Sequence, residues 1–328
     1  MRLAVYFQRP RWLLLLAPAL LSGCWTGGAQ FPDTGYLYEW EMDPDQPPIP
    51  FGLWGLNGFH DPDGLRGVQE QFGISAFHTS TYSPSYGVGM LLPMVRDAGL
   101  RVNLRMAGDH GYYTTADGDF DLGAWKQMLA PWNDSGVQEF IDDGTIAYHM
   151  LLDDIGNFEG LSPTGDELDE MARFSHGLLP RLQVAVREEA ARVPHPTSGR
   201  FEHLDASINQ YMADYGNVEE YALINMAAAD ELGLEIVNGL NIADGGDGSS
   251  LQPGWSQNRH AMSAEEIVEY GYVLSAVPGC VMFMAWEYDG QEQWSDGSVG
   301  SDYFDQPENT EALRWLGLRL AGVETDRP

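Results

Sequence analysis

Eight times along its length the chain sets a short apolar run ahead of an amphipathic or polar stretch, and this alternation limits the folds open to it. The runs are residues 51–57, 74–77, 100–106, 145–152, 182–186, 201–208, 234–242 and 281–286, each read as a strand. Helices are predicted over 63–72, 90–98, 122–141 (interrupted at Pro131), 166–176, 218–232, 263–277 and 310–320. Gly99 and Gly233 sit where a helix C-cap needs a left-handed residue, Thr164 or Ser162 is available as an N-cap, and Ser263-Ala-Glu-Glu266 spells a capping box. Residues 184–193 also read as a continuing helix, which leaves the fifth strand as the uncertain one in the count. Eight strands, each followed by a helix, is the count of a closed parallel barrel, the (β/α)8 or TIM barrel. An open doubly wound sheet is the rival, and the missing Gly-rich phosphate loop after the first run weakens it.

Ahead of the first run the chain has a different character. Arg2, Arg9 and Arg11 give a basic start, residues 12–21 are apolar, and Leu21-Ser-Gly-Cys24 follows at once. This arrangement resembles the lipobox of bacterial lipoprotein signal peptides, and the apolar stretch is too short for a stable membrane span. The resemblance implies a signal peptide over 1–23 and lipidation at Cys24; the Gly/Pro/Asp-rich composition that follows reads as a flexible tether, so that 24–50 hold the lipidated cysteine and tether and 51–328 the barrel domain. The expected location is the cell envelope, lipid-anchored outside the cytoplasm. For a host with two membranes, the resemblance further implies sorting to the outer membrane, since Trp25 rather than Asp follows the cysteine.

Charge narrows the partners. The formal net charge is −32, and loss of the three leader arginines brings it to about −35. Phosphate binding needs Lys and Arg to displace counterions, so nucleic acid is excluded as a partner. Docking on anionic lipid by charge is excluded for the same reason, leaving the acyl chains as the membrane anchor. Besides Cys24 there is one cysteine, Cys280, within the apolar run Cys280-Val-Met-Phe-Met-Ala285, and it reads as a buried, inert thiol.

In a barrel of this type the chemistry sits at the strand C-terminal ends and in the loops after them. Those ends carry Asn57, His60, His78, Arg105, Asp109, His110, Asp153, Asp154, Arg187, Asp205, Gln210, Tyr211, Asn241, Asp244, Trp286, Glu287 and Asp289. Tyr112, Tyr113, Trp255, Trp294, Tyr303 and Phe304 add aromatic faces on which sugar rings stack. Carboxylates gathered at one rim suit glycosidic hydrolysis, in which one protonates the leaving oxygen and another attacks the anomeric carbon or activates water. Asp244-Gly-Gly-Asp247-Gly248 lacks the spacing and terminal Glu of a calcium loop and reads as a turn, so neither metal nor cofactor is expected.

Leu151-Leu-Asp-Asp154, Met284-Ala-Trp-Glu-Tyr-Asp289 and Leu204-Asp-Ala-Ser-Ile-Asn-Gln-Tyr211 make residues 50–322 similar to the barrel-fold glycoside hydrolase superfamily. The resemblance implies a general acid at Asp153 or Asp154. The family's glutamate at the end of the seventh strand has no counterpart, since Asn238, Asn241 and Asp244 stand there. Asp244, Asp205 or Glu287 is then the second carboxylate, with an inverting mechanism as one outcome. Arg105, Arg187, Gln210, Tyr211, Asn241, Trp286, Trp255 and Trp294 are the expected substrate-binding residues. The function expected is a surface-anchored glycoside hydrolase acting on a poly- or oligosaccharide. A catalytically silent glycan-binding lipoprotein is the alternative, and a metal-dependent hydrolase built on the aspartates is a third.

Overall fold

Each apolar run becomes a strand of one closed parallel barrel in the computed structural model, which describes residues 41–42, 46–56, 61–155, 162–288 and 297–328. The strands are β1 (Phe51–Trp54), β2 (Ala76–Ser80), β3 (Arg101–Arg105), β4 (Ile146–Asp153), β5 (Val184–Arg187), β6 (Ala206–Ile208), β7 (Glu235–Asn241) and β8 (Cys280–Trp286). Each pairs with its sequence neighbours, and Phe51 lying against Phe283 brings β1 beside β8 to close the circle. Closure excludes the open-sheet rival and leaves no sheet edge to protect.

The helices are α1 (Pro62–Phe72), α2 (Pro84–Tyr86), α3 (Leu92–Ala98), α4 (Leu122–Leu129), α5 (Gln138–Asp142), α6 (Gly165–Leu178), α7 (Val218–Leu232), α8 (Ala264–Ser275), α9 (Gly300–Phe304) and α10 (Pro307–Leu320). Their ends follow local chemistry. Asp61 accepts from the Gly64 amide ahead of Pro62, so α1 starts where the first-turn amides gain an acceptor. Reciprocal capping boxes open α6 (Thr164 with Glu167) and α8 (Ser263 with Glu266). Pro131 interrupts the expected long helix, which splits into α4, a 3-10 turn at Ala130–Trp132, and α5.

The expectation of a helix after every strand fails once. Between β5 and β6 the described chain has only a 3-10 turn, Ala190–Arg192. Pro194, Pro196 and Gly199 follow, and they withhold the amides and the stiffness a helix needs. The sixth run also pairs later than its composition suggests, because β6 begins at Ala206.

Two cores result. Between strands and helices lie Trp125, Trp132, Phe77, Phe140, Phe283 and many aliphatic side chains, each large one contributing roughly 1.5–3 kcal/mol by burial. Inside the barrel Tyr148, Met150, Ile208, Val237, Met282 and Met284 fill the bore. Two tryptophans of the outer layer fix the mouth: Trp132 Nε1 donates to the Met106 carbonyl (3.0 Å) and Trp125 Nε1 to the Leu151 carbonyl (3.2 Å). Cys280 is buried, as expected, and burial pushes its thiol up to about 11. Cys24 and the rest of the segment before residue 41 lie outside the described residues.

Candidate functional site

Strands β1 to β8 all end at one pole, and there a cleft of about 600 Å³ opens. Alternation along each strand decides what it receives: Trp54 ends β1, His78 and Ser80 come from β2, Arg105 from β3, Asp153 from β4, Arg187 from β5, Asn241 from β7 and Trp286 from β8. The volume lies within the range of clefts that enclose a ligand of several rings.

An ion network forms its floor. Asp153 and Arg187 are register partners on β4 and β5, and Arg187 Nε donates to Asp153 Oδ1. Arg105 Nη1 donates to the other oxygen at 3.3 Å, and Arg105 Nη2 reaches Asp109. Burial pushes the Asp153 carboxyl up, but the guanidiniums of Arg187 and Arg105 outweigh it and hold the group below its ordinary value. Arg187 is engaged on its remaining nitrogens too, with Nη1 to Gln210 Oε1 at 2.7 Å and Nη2 to Asp154 Oδ2 at 2.8 Å. Burial pulls Arg187 down, yet the charges of Asp153 and Asp154 raise it above its ordinary value. Its guanidinium carbon stands 5.7 Å from the centre of the Trp54 ring. The other face of this floor is His78, stacked on Trp54 at 3.7 Å. Burial, helped by Arg105, lowers the imidazole to about 3, so the ring is neutral at physiological pH.

The β7 side is held by the backbone. Asn241 Oδ1 accepts from the Asp244 amide (2.9 Å), while Asp244 accepts from the Ser256 amide (2.8 Å) and hydroxyl (2.6 Å). This bracket presents Trp255, 39% exposed, edge-on to Trp286 with ring centres 5.6 Å apart. Glu266 secures the base of the same loop by accepting from the Asp247 amide at 2.8 Å. Across β1, Glu287 lies so close to Gly55 (φ 80) that a Cβ there would stand 2.8 Å from its Oε1.

Of the residues expected from sequence, the cleft gathers Asp153, Asp154, Glu287, Asp244, Arg105, Arg187, Gln210, Asn241, Trp286 and Trp255. Two expectations are corrected. Asp205 precedes β6 and therefore lies at the opposite pole, where it accepts from the Val184 amide (2.8 Å) and pairs with His176 Nε2 (3.1 Å). Tyr211 is buried in the wall, its hydroxyl donating to the Gly216 carbonyl at 2.5 Å and its ring edge-on to Tyr221 and Tyr270. Tyr113, Tyr303 and Phe304 are buried as well. Trp294, Asp289, Asn57 and His60 lie outside the described residues. Sequence reading missed Trp54, Glu189, Tyr215 and Arg259, all of which line the cleft. Glu189 was within reach, two residues beyond Arg187, had the end of β5 been fixed. It is held by Arg192 Nη1 at 3.0 Å. Among the described residues no cluster of three or more His, Cys, Asp or Glu side chains is arranged to hold a metal ion.

No family model matches the chain, and no curated protein matches it. Among solved structures, a beta-glucuronidase from an uncultured Clostridium sp. aligns at 13% identity and a TM-score of 0.57, over 83% of this chain and 50% of that one. Saccharomyces cerevisiae Gas2p aligns at 10% identity and a TM-score of 0.50, over 84% and 62%. A GH30 endoxylanase from Clostridium papyrosolvens C71 gives 12% identity and a TM-score of 0.47, over 83% and 71%. The chain thus spans about half the length of the beta-glucuronidase it matches. Likeness at this identity to the beta-glucuronidase and to Gas2p shows a shared barrel fold.

Proposed function

We propose that the protein is a lipid-anchored glycoside hydrolase of the cell envelope that cleaves an uncharged poly- or oligosaccharide. The observation that carries the reading is the approach of two carboxylates, Asp154 after β4 and Glu287 after β8, to one cleft walled by Trp54, Trp255 and Trp286. In an eight-stranded circle β4 and β8 stand opposite, so the two groups flank a sugar from facing sides. Glu287 acts as the acid that protonates the leaving oxygen. Asp154, salt-bridged to Arg187, acts as the base that activates water. Carboxylates that face each other across a mouth leave room for that water, so the reading carries inversion at the anomeric carbon. Asp153 is assigned to holding Arg105 and Arg187, because a carboxyl kept below its ordinary value is a poor proton donor at neutral pH.

The sugar is uncharged on this reading because both floor arginines are already committed to Asp153, Asp154 and Asp109. A uronate would have to displace those carboxylates to gain a guanidinium fork.

The test is turnover of a panel of neutral and uronate polysaccharides by the wild type, Glu287→Gln and Asp154→Asn. Product configuration is read by NMR, and the fold of each variant by circular dichroism. Loss of about 10²–10⁴-fold in kcat in both folded variants is expected. The closed salt-bridge network at the floor favours the second reading, a catalytically silent glycan-binding barrel. Binding without turnover by the wild type would establish that reading instead.

A further inference from the structure

The loops after β2 and β3 carry an aromatic surface that the cleft chemistry does not use. Tyr82 and Tyr112 are 53% and 45% exposed, with ring centres 5.1 Å apart. Large aromatic side chains left in water beside a cleft mark a place where a ligand covers them. Their support is built in. Gly108, at φ 77, lies beneath both rings, and a Cβ there would meet Tyr112 Cδ2 at 3.0 Å and Tyr82 Cβ at 3.2 Å. The Tyr82 hydroxyl interacts with that of Tyr112 and pushes the Tyr112 phenol above its ordinary value. The pair is continuous with the cleft, since Ser80, which ends β2 two residues before Tyr82, and Asp109, three before Tyr112, line it.

On the far side of the mouth stands Trp255, in the loop after β7. In a closed eight-stranded barrel β3 and β7 are diametrically opposed. Exposed aromatic faces therefore stand at both ends of a line that crosses the cleft.

We propose that this line is an open track for a polymeric glycan, with sugar rings stacking on Tyr82 and Tyr112 at one end and on Trp255 at the other. The proposal rests on the hydrolase reading and deepens it: the substrate is a chain longer than the cleft, cut internally. Water adds across an internal glycosidic bond and two shorter chains leave, one over each aromatic end.

The probes are soluble xylan, laminarin and mannan with their oligomer ladders from dimer to octamer, titrated calorimetrically against the whole protein. The variants are Tyr82→Ala/Tyr112→Ala and, as a control that keeps the rings, Tyr82→Phe/Tyr112→Phe. Both positions are exposed, so neither pair of changes threatens the fold. Wild-type affinity is expected to rise with chain length. The alanine pair should weaken octamer binding about tenfold, or about 1.4 kcal/mol, while leaving the dimer unchanged. The phenylalanine pair should retain the length dependence. Length-independent binding by the wild type, or an alanine pair that binds the octamer as the wild type does, overturns the track and leaves the hydrolase reading standing. Absence of binding by any of these glycans at any length overturns both.

Discussion

Asp153 divides its two oxygens between Arg187 and Arg105, all three side chains being largely withdrawn from solvent. Asp153→Asn removes the charge that compensates two neighbouring guanidiniums, so the cost is that of an unpaired buried ion, about 3–5 kcal/mol, measurable by urea unfolding. The same change should spare the carboxylates of Asp154 and Glu287, which makes stability rather than chemistry the first casualty. Gly55 offers the converse case. Its φ of 80 costs an L-residue roughly 1–2 kcal/mol, and a Cβ would push against Glu287. Gly55→Ala is expected to remain folded while losing turnover, with unfolding and kinetics measured on one preparation. Sequence reading named Asp153 and Glu287 because both sit at strand ends. It could not show that Asp153 is bound into an ion network, since that depends on Arg105 and Arg187 arriving from other strands.

The join between α6 and β6 shows why elements are easier to find in a sequence than their ends. Apolar residues 201–208 announce a strand, but pairing starts only at Ala206, where β6 meets β5 on one side and β7 on the other. That late start places Asp205 at the base, against His176 of α6, and removes it from the cleft. Strand five, ambiguous in sequence, is settled as a strand by the same neighbours, because Val184 and Ala185 lie opposite His149 and Met150 of β4. The hydrogen bond that His176 Nε2 donates to Asp205 raises the imidazole above 6.5 against the opposing effect of burial. A histidine raised in the folded state contributes stability that is complete below its unfolded pKa and lost as pH climbs through the folded one. The stability that the wild type holds over His176→Ala should therefore shrink as pH rises above about 6.5, the comparison cancelling the opposite trend from His78, which burial lowers to about 3. A difference that does not change with pH there would mean that the pair contributes nothing to folding.

Across the whole molecule, the formal charge of −32 makes self-repulsion an opponent of the compact barrel. Salt shortens its reach, from a Debye length of about 30 Å at 0.01 M to about 3 Å at 1 M. Melting temperature should consequently climb with sodium chloride, by roughly 2–4 °C for each kcal/mol of repulsion screened, as differential scanning calorimetry would record. A fall with salt would instead mean that attractive ion pairs outweigh the excess charge. The barrel's closure also settles where its ends lie. Ile49 donates its amide to the Leu320 carbonyl at 2.8 Å, so the chain enters β1 and leaves α10 at neighbouring points. Those points belong to the pole where strands begin, and the cleft occupies the pole where they finish. A short linker between 49 and 320 would let the polypeptide be reopened at a surface loop and still close the same circle. A group joined at residue 49 or 320 would therefore take hold of the cup by its base, on the side away from its opening.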